Sequence, residues 1–582
     1  MDKMLGGDVI ARMLHNEGVE VVFGIIDGSY FGLYASLRNY GIRLVTPRHE
    51  ACAVHMAAAY ARLTGRLGVA MASNGPGVAN VLPGVAVENG EGNRVLLLTS
   101  TRRAPIGYPD RGGTYQYFNQ AGVTKPMTKW SGRVPAAGRV QEFMKRAFRV
   151  SWRGRPGLVH VDIPEDILNN KMEVGGFPAP PSYRRTAPVV PAADEVQAAA
   201  QLLRAAKVPM VHAGSGVIHA GAFDELQAVA ELLHAPVTTS WAARGALRED
   251  HELAIPMVHV QLNNTVRNEA DAVLTLGSRI GETDWWGKPP YWRNPAEQRM
   301  VQVDIDEEIL GLNKPAEVPV LGDIKLFLKA LRDVLEREGA GDLAPRRQTV
   351  DKFRELRQKD RAKLDQALKD MEDPLNTAHV ATICQEVFPE EAIYVIDGGN
   401  TAIWGNFFHE IRTPGTVLGT PKFGMLGAGV AQAIGAQVAY PDRPVYAIVG
   451  DGAMGFNQQE VETAVRNKLP VIYLVCVDNQ WGMVKMNQQF TLKPLKTLIF
   501  KSLAEEETIN ADFSEVDYGK LAEAMGAHGE RVRAPGDLRP AIARARESGK
   551  PAVIHIDVDP VKHMWAPSLI EFKKMHAEPK GK

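Results

Sequence analysis

Short runs of β-branched and aliphatic residues alternate with longer helical patterns along the whole sequence, and no other feature restricts the fold as strongly. Such runs stand at 19–23, 42–45, 68–72, 94–99, 158–163, 208–212, 272–276, 393–396, 445–449, 471–477 and 552–558, and glycine-rich turns often follow them. Strands covered on both faces read as near-continuous apolar runs, and helical connections let successive strands lie parallel. The rhythm predicts an α/β protein of parallel sheets with helices on both faces. Two stretches interrupt it. Residues 171–194 are rich in proline, and 336–373 are so highly charged that an exposed linker with a solvated helix is expected there. The interruptions leave three consecutive doubly wound domains, 1–180, 190–340 and 370–560, and a tail, 561–582. No short repeat is visible.

Composition removes several classes of function. A net charge of −1 gives no global field for nucleic acid or an anionic membrane. Cys52, Cys384 and Cys476 are far apart and form no C-x-x-C pair, which argues against a disulfide framework or structural zinc. The start lacks an apolar signal core, and no apolar run reaches about 18 residues. A cytoplasmic protein without a membrane span is the expectation.

The sharpest local signal is VYAIVGDGAMGFNQQEVETAVRNKLPVIYLVCVDNQWGMVK. A buried strand at 445–449 ends in the turn Gly450-Asp451-Gly452. A helix pattern follows at 457–467, and a second strand, 471–477, delivers Asp478-Asn479-Gln480 to the same edge. Ligands bind at the carboxyl ends of strands in open α/β sheets. Two carboxylates arriving there suit hard Mg²⁺ and phosphate oxygens, and glycines let backbone N–H groups come close. Gly-Asp-Gly alone would be only a turn.

This segment resembles the thiamine-diphosphate-binding motif of the superfamily of acetolactate synthase, pyruvate oxidase and benzoylformate decarboxylase. The interval from Asp451 to Asp478 and the following Gly482-Met483-Val484 fall in its register. The resemblance implies Mg²⁺ held by Asp451, Asp478 and the backbone carbonyl of Gln480. Gly450, Gly452, Ala453, Trp481, Gly482 and Met483 would lie around the cofactor. Many members carry Asn where Asp478 stands, so this site holds an extra negative charge beside a diphosphate. In Asp397-Gly398-Gly399-Asn400-Thr401, the family counterpart makes Asn400 and Thr401 diphosphate ligands; an Asx turn with a helix N-cap is the plain alternative. In Phe423-Gly424-Met425-Leu426-Gly427, register assigns Leu426 as the apolar prop that bends the cofactor, with Met425 as competitor.

The first domain contains Arg48-His49-Glu50 and Tyr60-Ala61-Arg62-Leu63-Thr64-Gly65, similar to the superfamily's activating segment. Glu50 matches the glutamate that keeps the aminopyrimidine N1′ protonated; a solvated helix-start Glu is the alternative. His49 reads as structural. Asn74-Gly75-Pro76-Gly77 resembles a loop that places Asn74 and Gly75 near the aminopyrimidine. Glu50 and Asp451 lie in different domains, and in the superfamily one subunit's first domain faces another's third. The resemblance therefore implies a homodimer or homotetramer.

Substrate chemistry is less constrained. Tyr30 and Ser29 follow the first strand, and Gln116 falls at the acetolactate synthase glutamine. Trp481, Met483, Val484 and Asn487 follow the metal loop. For each, ordinary packing is the alternative to a place beside a small carbonyl substrate. No His-His pair of the pyruvate decarboxylase kind is present. The loop at 480–490 is similar to those of sulfoacetaldehyde acetyltransferase and cyclohexane-1,2-dione hydrolase. Gly214-Ser215-Gly216 marks where relatives hold FAD, or ADP, or nothing, and Gly-x-Gly alone is weak support for either. The aromatic run 283–292 is expected to cover a ligand, line an interface or pack as a loop, and the tail to close the site or fray. The resemblance implies a lyase or transferase, foremost a 2-oxo acid decarboxylase/carboligase. A C–C hydrolase or lyase on a diketone or 2-hydroxyacyl substrate and a flavin-linked oxidase are the other readings, and a non-catalytic cofactor-fold subunit is disfavoured by retention of Glu50, Asp451 and Asp478.

Overall fold

A computed structural model of the protein describes residues 2–107 and 109–569. The first domain contains β1 (Asp2–Leu5), β2 (Val21–Gly24), β3 (Arg43–Val45), β4 (Gly68–Ala72), β5 (Val95–Thr101), β6 (Trp130–Arg133), β7 (Leu158–Pro164) and β8 (Lys171–Val174). The central domain contains β9 (Pro209–Ala213), β10 (Val237–Thr239), β11 (Ala254–Ile255), β12 (Ala272–Leu276), β13 (Arg299–Asp304) and β14 (Val318–Leu321). The third contains β15 (Ile393–Asp397), β16 (Val417–Leu418), β17 (Val445–Gly450), β18 (Ile472–Val477), β19 (His528–Val532) and β20 (Ala552–Asp557).

Among the described residues, these strands form three six-stranded sheets of order β3-β2-β4-β5-β7-β6, β11-β10-β9-β12-β13-β14 and β16-β15-β17-β18-β20-β19, while β1 and β8 pair as an antiparallel ribbon. Every neighbouring pair in the three large sheets is parallel. Strands β5, β7, β17, β18 and β20 are buried at every position, which is why they read as unbroken apolar runs. The expected α/β class holds. The first and third sheets share one plan: the first large-sheet strand lies between the second and third, so the order reverses at β2/β4 and at β15/β17. That reversal opens a crevice at the carboxyl edge of each sheet.

The first and third domains meet through helix Glu50–Thr64 and helix Ala428–Ala439. Val54, Ala58, Ala431 and Ile434 share one buried cluster. A Cβ on Gly435 would stand 2.3 Å from the Met56 carbonyl oxygen, so only glycine permits this close crossing.

Two expectations change. The charged stretch is not simply solvated: helix Ala344–Leu364 buries Arg346, Val350 and Phe353. Arg346 donates to the carbonyls of Leu203, Ala206 and Leu233, satisfying acceptors left over where two helices end. In the Gly-Asp-Gly segment Gly450 closes the strand and Asp451 already opens a helix, with helices Asp451–Asn457 and Glu460–Asn467 replacing one helix from 457. The beginning of the tail packs onto the third domain. Helix Pro560–Met564 packs down, and Met564, Ala566 and Leu569 join the third domain's core; residues 570–582 of the tail lie outside the described residues. The run at 283–292 is mostly a packed loop. Trp285 stacks on Tyr291 at 3.9 Å, and buried Arg267 pairs with Asp284 at 2.7 Å.

Candidate active site

Three helices, Asn400–Phe408, Asp451–Asn457 and Gly482–Leu492, begin at the carboxyl edge of β15, β17 and β18. Their first turns carry N–H groups that lack intrahelical backbone partners, and the positive end of the helix dipole. Asp451 is buried and accepts from the backbone N–H of Asn479 at 2.8 Å and of Gly452 at 2.7 Å. Asp478 is buried as well and accepts from Gln480 Nε2 at 3.0 Å. Burial holds both carboxyls above the usual carboxylate range, and the neighbouring Asp478 charge adds to this for Asp451. A pair of carboxyls so strained by burial is stabilised in its ionised form by a cation.

Asn400 is buried, with neither its amide oxygen nor its amide nitrogen in a hydrogen bond within the protein. Such a group is costly without a partner and marks a place for a ligand or water. Its amide borders Gly482: a Cβ there would stand 2.8 Å from Asn400 Nδ2 and 3.1 Å from Asp478 Oδ2. A Cβ on Gly399 would stand 3.2 Å from Met483 Cβ, and one on Gly452 2.7 Å from the Trp481 ring. Trp481 packs edge-on to Phe513 at 4.6 Å. Gly482 thus borders Asn400 and Asp478, Gly399 borders Met483, Gly450 and Gly452 border Thr401 and Trp481 respectively, and Ala453 joins a buried apolar cluster. Thr401 is buried beside Gly398 and Gly450, where the strand order reverses. Leu426 packs against the cluster containing Ala453 and Met454, while the Met425 N–H donates to Thr420 Oγ1 at 3.1 Å. Among the described residues, no group of three or more His, Cys, Asp or Glu side chains could hold a metal. A cation here would need backbone or ligand oxygens beside the two carboxylates, a donor set suited to Mg²⁺ with a phosphorylated anion.

A second cluster forms at the matching edge of the first sheet. Glu50 opens helix Glu50–Thr64, is half-buried, and accepts from Asn80 Nδ2 at 3.1 Å. A Cβ on Gly77 would stand 3.5 Å from its Oε1. Tyr30 is buried, donates to the Ile25 carbonyl, and is pushed far above the usual phenol range by burial and then by the Asp27 and Glu50 charges. Gly75 and Gln116 both have positive φ, and a Cβ on Gly75 would stand 2.7 Å from Gln116 Cβ. Asn74 Nδ2 donates to Gln116 Oε1 at 3.4 Å. Glu50, Tyr30, Asn74, Gly75 and Gln116 are therefore one neighbourhood. Glu50 and Asp451 fall in separate clusters, each bonded within its own domain.

Several partners carry no motif. Gln120 Oε1 accepts from Gly75 N–H at 2.9 Å, and Gln120 Nε2 donates to Asp162 at 2.7 Å. Ser100 Oγ accepts from Asn74 N–H at 2.9 Å and bonds Ser29 Oγ at 2.5 Å. Burial raises Asp162 to about 7. The available signal is a set of polar residues at the ends of otherwise apolar strands, Thr99-Ser100-Thr101 and His160-Val161-Asp162.

In the central domain, the order reversal between β9 and β12 opens into a cavity of about 1580 Å³, walled by Gly214, Gly216, Arg155, Arg279, Trp286 and Lys422. No helix among the described residues is long and apolar enough to cross a membrane.

Three family models match consecutive parts of the chain: the N-terminal TPP binding domain of thiamine pyrophosphate enzymes over residues 4–123, their central domain over 196–331, and their C-terminal TPP binding domain over 397–556. A probable acetolactate synthase large subunit from Methanocaldococcus jannaschii is 28% identical, with 96% of this chain and 93% of the relative covered. The acetolactate synthase large subunit of Corynebacterium glutamicum is 30% identical over 97% of this chain and 88% of its own length. The acetolactate synthase isozyme 3 large subunit of Escherichia coli is 28% identical, with 97% and 96% covered.

Proposed function

The chain belongs to the thiamine pyrophosphate-dependent enzymes, among relatives of acetolactate synthase large subunits, and from that premise we propose a thiamine-diphosphate- and Mg²⁺-dependent decarboxylase/carboligase acting on a 2-oxo acid. The observation that carries the reading is the unpartnered Asn400 amide beside two buried carboxyls in a glycine-walled cradle. Asp451, Asp478 and the Gln480 carbonyl would hold Mg²⁺. Asn400, Thr401, Gly450, Gly452, Ala453, Gly482 and Met483 would surround the diphosphate, and Leu426 would support the bend. Thiamine diphosphate, when bound, supplies a nucleophilic carbon and an electron sink next to the substrate carbonyl.

The protein's own contributions follow from its geometry. Glu50, oriented by Asn80, serves to hold a proton at the aminopyrimidine N1′. Tyr30 is a wall and orienting group rather than a base, since its proton is committed to the Ile25 carbonyl and burial opposes its ionisation. Gln116, fixed by Asn74 and Gly75, offers an amide to the substrate. Trp481 over Gly452 excludes water from the Asp451 side.

Calorimetric titration with thiamine diphosphate and Mg²⁺ tests the cofactor. Asp451→Ala is expected to abolish Mg²⁺-dependent binding and Asp478→Asn to retain it. Incubation with 2-oxo acids, acyl-CoAs and diketones, followed by mass spectrometry, tests the chemistry. No product from any 2-oxo acid, or unchanged turnover in Glu50→Gln, overturns the reading.

A second reading, a flavin-linked oxidase, draws on the central cavity, which exceeds the roughly 300–1,000 Å³ of common small-ligand sites and has basic residues in its wall. Flavin absorbance in the purified protein would favour it. Two clusters in separate domains also support a homodimer or a dimer of dimers.

A further inference from the structure

The C-terminal helix Pro560–Met564 touches the candidate anion site in two places. The Pro560 carbonyl accepts from Gln480 Nε2 at 2.9 Å, and the same nitrogen donates to Asp478 at 3.0 Å. One turn later, His563 is buried between two threonines. Its Nδ1 lies 2.6 Å from Thr377 Oγ1, and its Nε2 lies 3.2 Å from Thr401 Oγ1. Trp404 Nε1 donates to the His563 carbonyl at 2.8 Å and fixes the residue in place. Trp565 anchors the far side, donating through Nε1 to the Lys501 carbonyl at 2.7 Å and packing on Phe490.

Burial lowers His563 to about 3, which favours the neutral imidazole at neutral pH. A neutral imidazole has one donor nitrogen and one acceptor nitrogen. If Nδ1 donates to Thr377, then Nε2 must accept, and the Thr401 hydroxyl proton is spent on the histidine. If Nδ1 accepts from Thr377, then Nε2–H donates to Thr401 Oγ1, and the Thr401 hydroxyl keeps its own proton for an outside acceptor. An anion beside Thr401 selects the second arrangement. Every dipole in the chain Thr377, His563, Thr401 then points toward the negative charge, and each bond strengthens the next.

We propose that His563 is a positioning residue of the diphosphate anchor, fixing the Thr401 hydroxyl as a hydrogen-bond donor to a phosphate oxygen. This rests on the cofactor reading above, which places the diphosphate beside Thr401. No bond is broken in this role; His563 acts through Thr401 and need not touch the cofactor.

The test is calorimetric titration of the full-length protein with thiamine diphosphate, and separately with inorganic pyrophosphate, both with Mg²⁺. His563→Leu keeps bulk and removes both ring nitrogens. Thiamine diphosphate is expected to bind about ten- to a hundred-fold more weakly, the range for a hydrogen bond to a charged group. His563→Gln, with one amide donor and one acceptor, is expected to recover most of the affinity. Thr377→Val probes the remote end of the chain without altering residue 563 and is expected to weaken binding several-fold. In a Thr401→Val background, His563→Leu should have no further effect, because the hydroxyl it orients is gone. A merely packing role predicts additive losses and no rescue by Gln. Wild-type affinity in both His563→Leu and Thr377→Val, or additivity with Thr401→Val, overturns the proposal. Absence of thiamine diphosphate binding by the wild type overturns the underlying cofactor reading instead. If His563→Leu fails to fold, as judged by thermal denaturation without cofactor, Thr377→Val and His563→Gln carry the same comparison.

Discussion

Gly482 shows how much of the candidate site is defined by what a residue lacks. A methyl group there would press on Asn400 Nδ2 at 2.8 Å and Asp478 Oδ2 at 3.1 Å, the two side chains that face the cradle. Gly482→Ala is expected to leave the fold intact by circular dichroism and to weaken thiamine diphosphate binding at least roughly ten-fold, about 1.4 kcal/mol; unchanged affinity would place the cofactor elsewhere. Residues of this kind were partly legible in the sequence. Asp451 and Asp478 stand out because two carboxylates at neighbouring strand ends make a candidate pair of oxygen ligands. Glycines around them imply close approach. His563 and Ser100 carry no such signature. A histidine between two threonines, or a serine behind a glycine loop, acquires meaning only through tertiary contacts that no local pattern encodes. Asn400 lies between these cases, since its place at a helix start fits capping and ligation equally, and the structure shows no capping bond from its amide.

At the scale of elements, the segment leading to Leu426 depends on a group from another domain. Glu91 Oε1 accepts from the backbone N–H of Lys422 at 3.0 Å and of Phe423 at 2.8 Å. Burial raises Glu91 to about 7, against 4.5 ordinarily. The folded state therefore keeps this proton longer than the unfolded chain. The group's contribution to stability is greatest below the ordinary glutamate range and is lost as pH rises to about 7. Glu91→Gln keeps an acceptor for both N–H groups and removes the buried charge. Relative to wild type, it should change little at pH 4.5 and gain up to about 3 kcal/mol above pH 7. Denaturant melts at the two pH values check this, and an equal effect at both would show that the proton is not the cause. Strands and their order follow from burial, so the elements were readable. Boundaries such as Asp451, where a turn proved to be a helix start, depended on the sheet edge around them.

The whole molecule repeats itself without repeating its sequence: the first and third sheets reverse order at the same step and each presents one cluster. That correspondence was hidden because the two halves share burial pattern rather than residues. Apolar side chains stand exposed on both domains, Ile26, Phe31 and Tyr115 in the first and Val484, Leu495 and Phe500 in the third. If each site combines Glu50 of one protomer with Asp451 of another, mixing unfolded Glu50→Gln and Asp451→Ala chains and refolding them together should restore about one quarter of wild-type turnover, since half of the random dimers carry one intact site of two. No recovery, with mixed dimers demonstrated, would place both residues on the same protomer. Pro560 and His563, finally, are translated after every strand of all three sheets, yet they brace Gln480 and Thr401. Domains fold in order as they leave the ribosome, so the first two can be complete while this pocket still lacks its last brace. A chain truncated before residue 560 would keep every strand of the three sheets but lack the contacts of Pro560 to Gln480 and of His563 to Thr401.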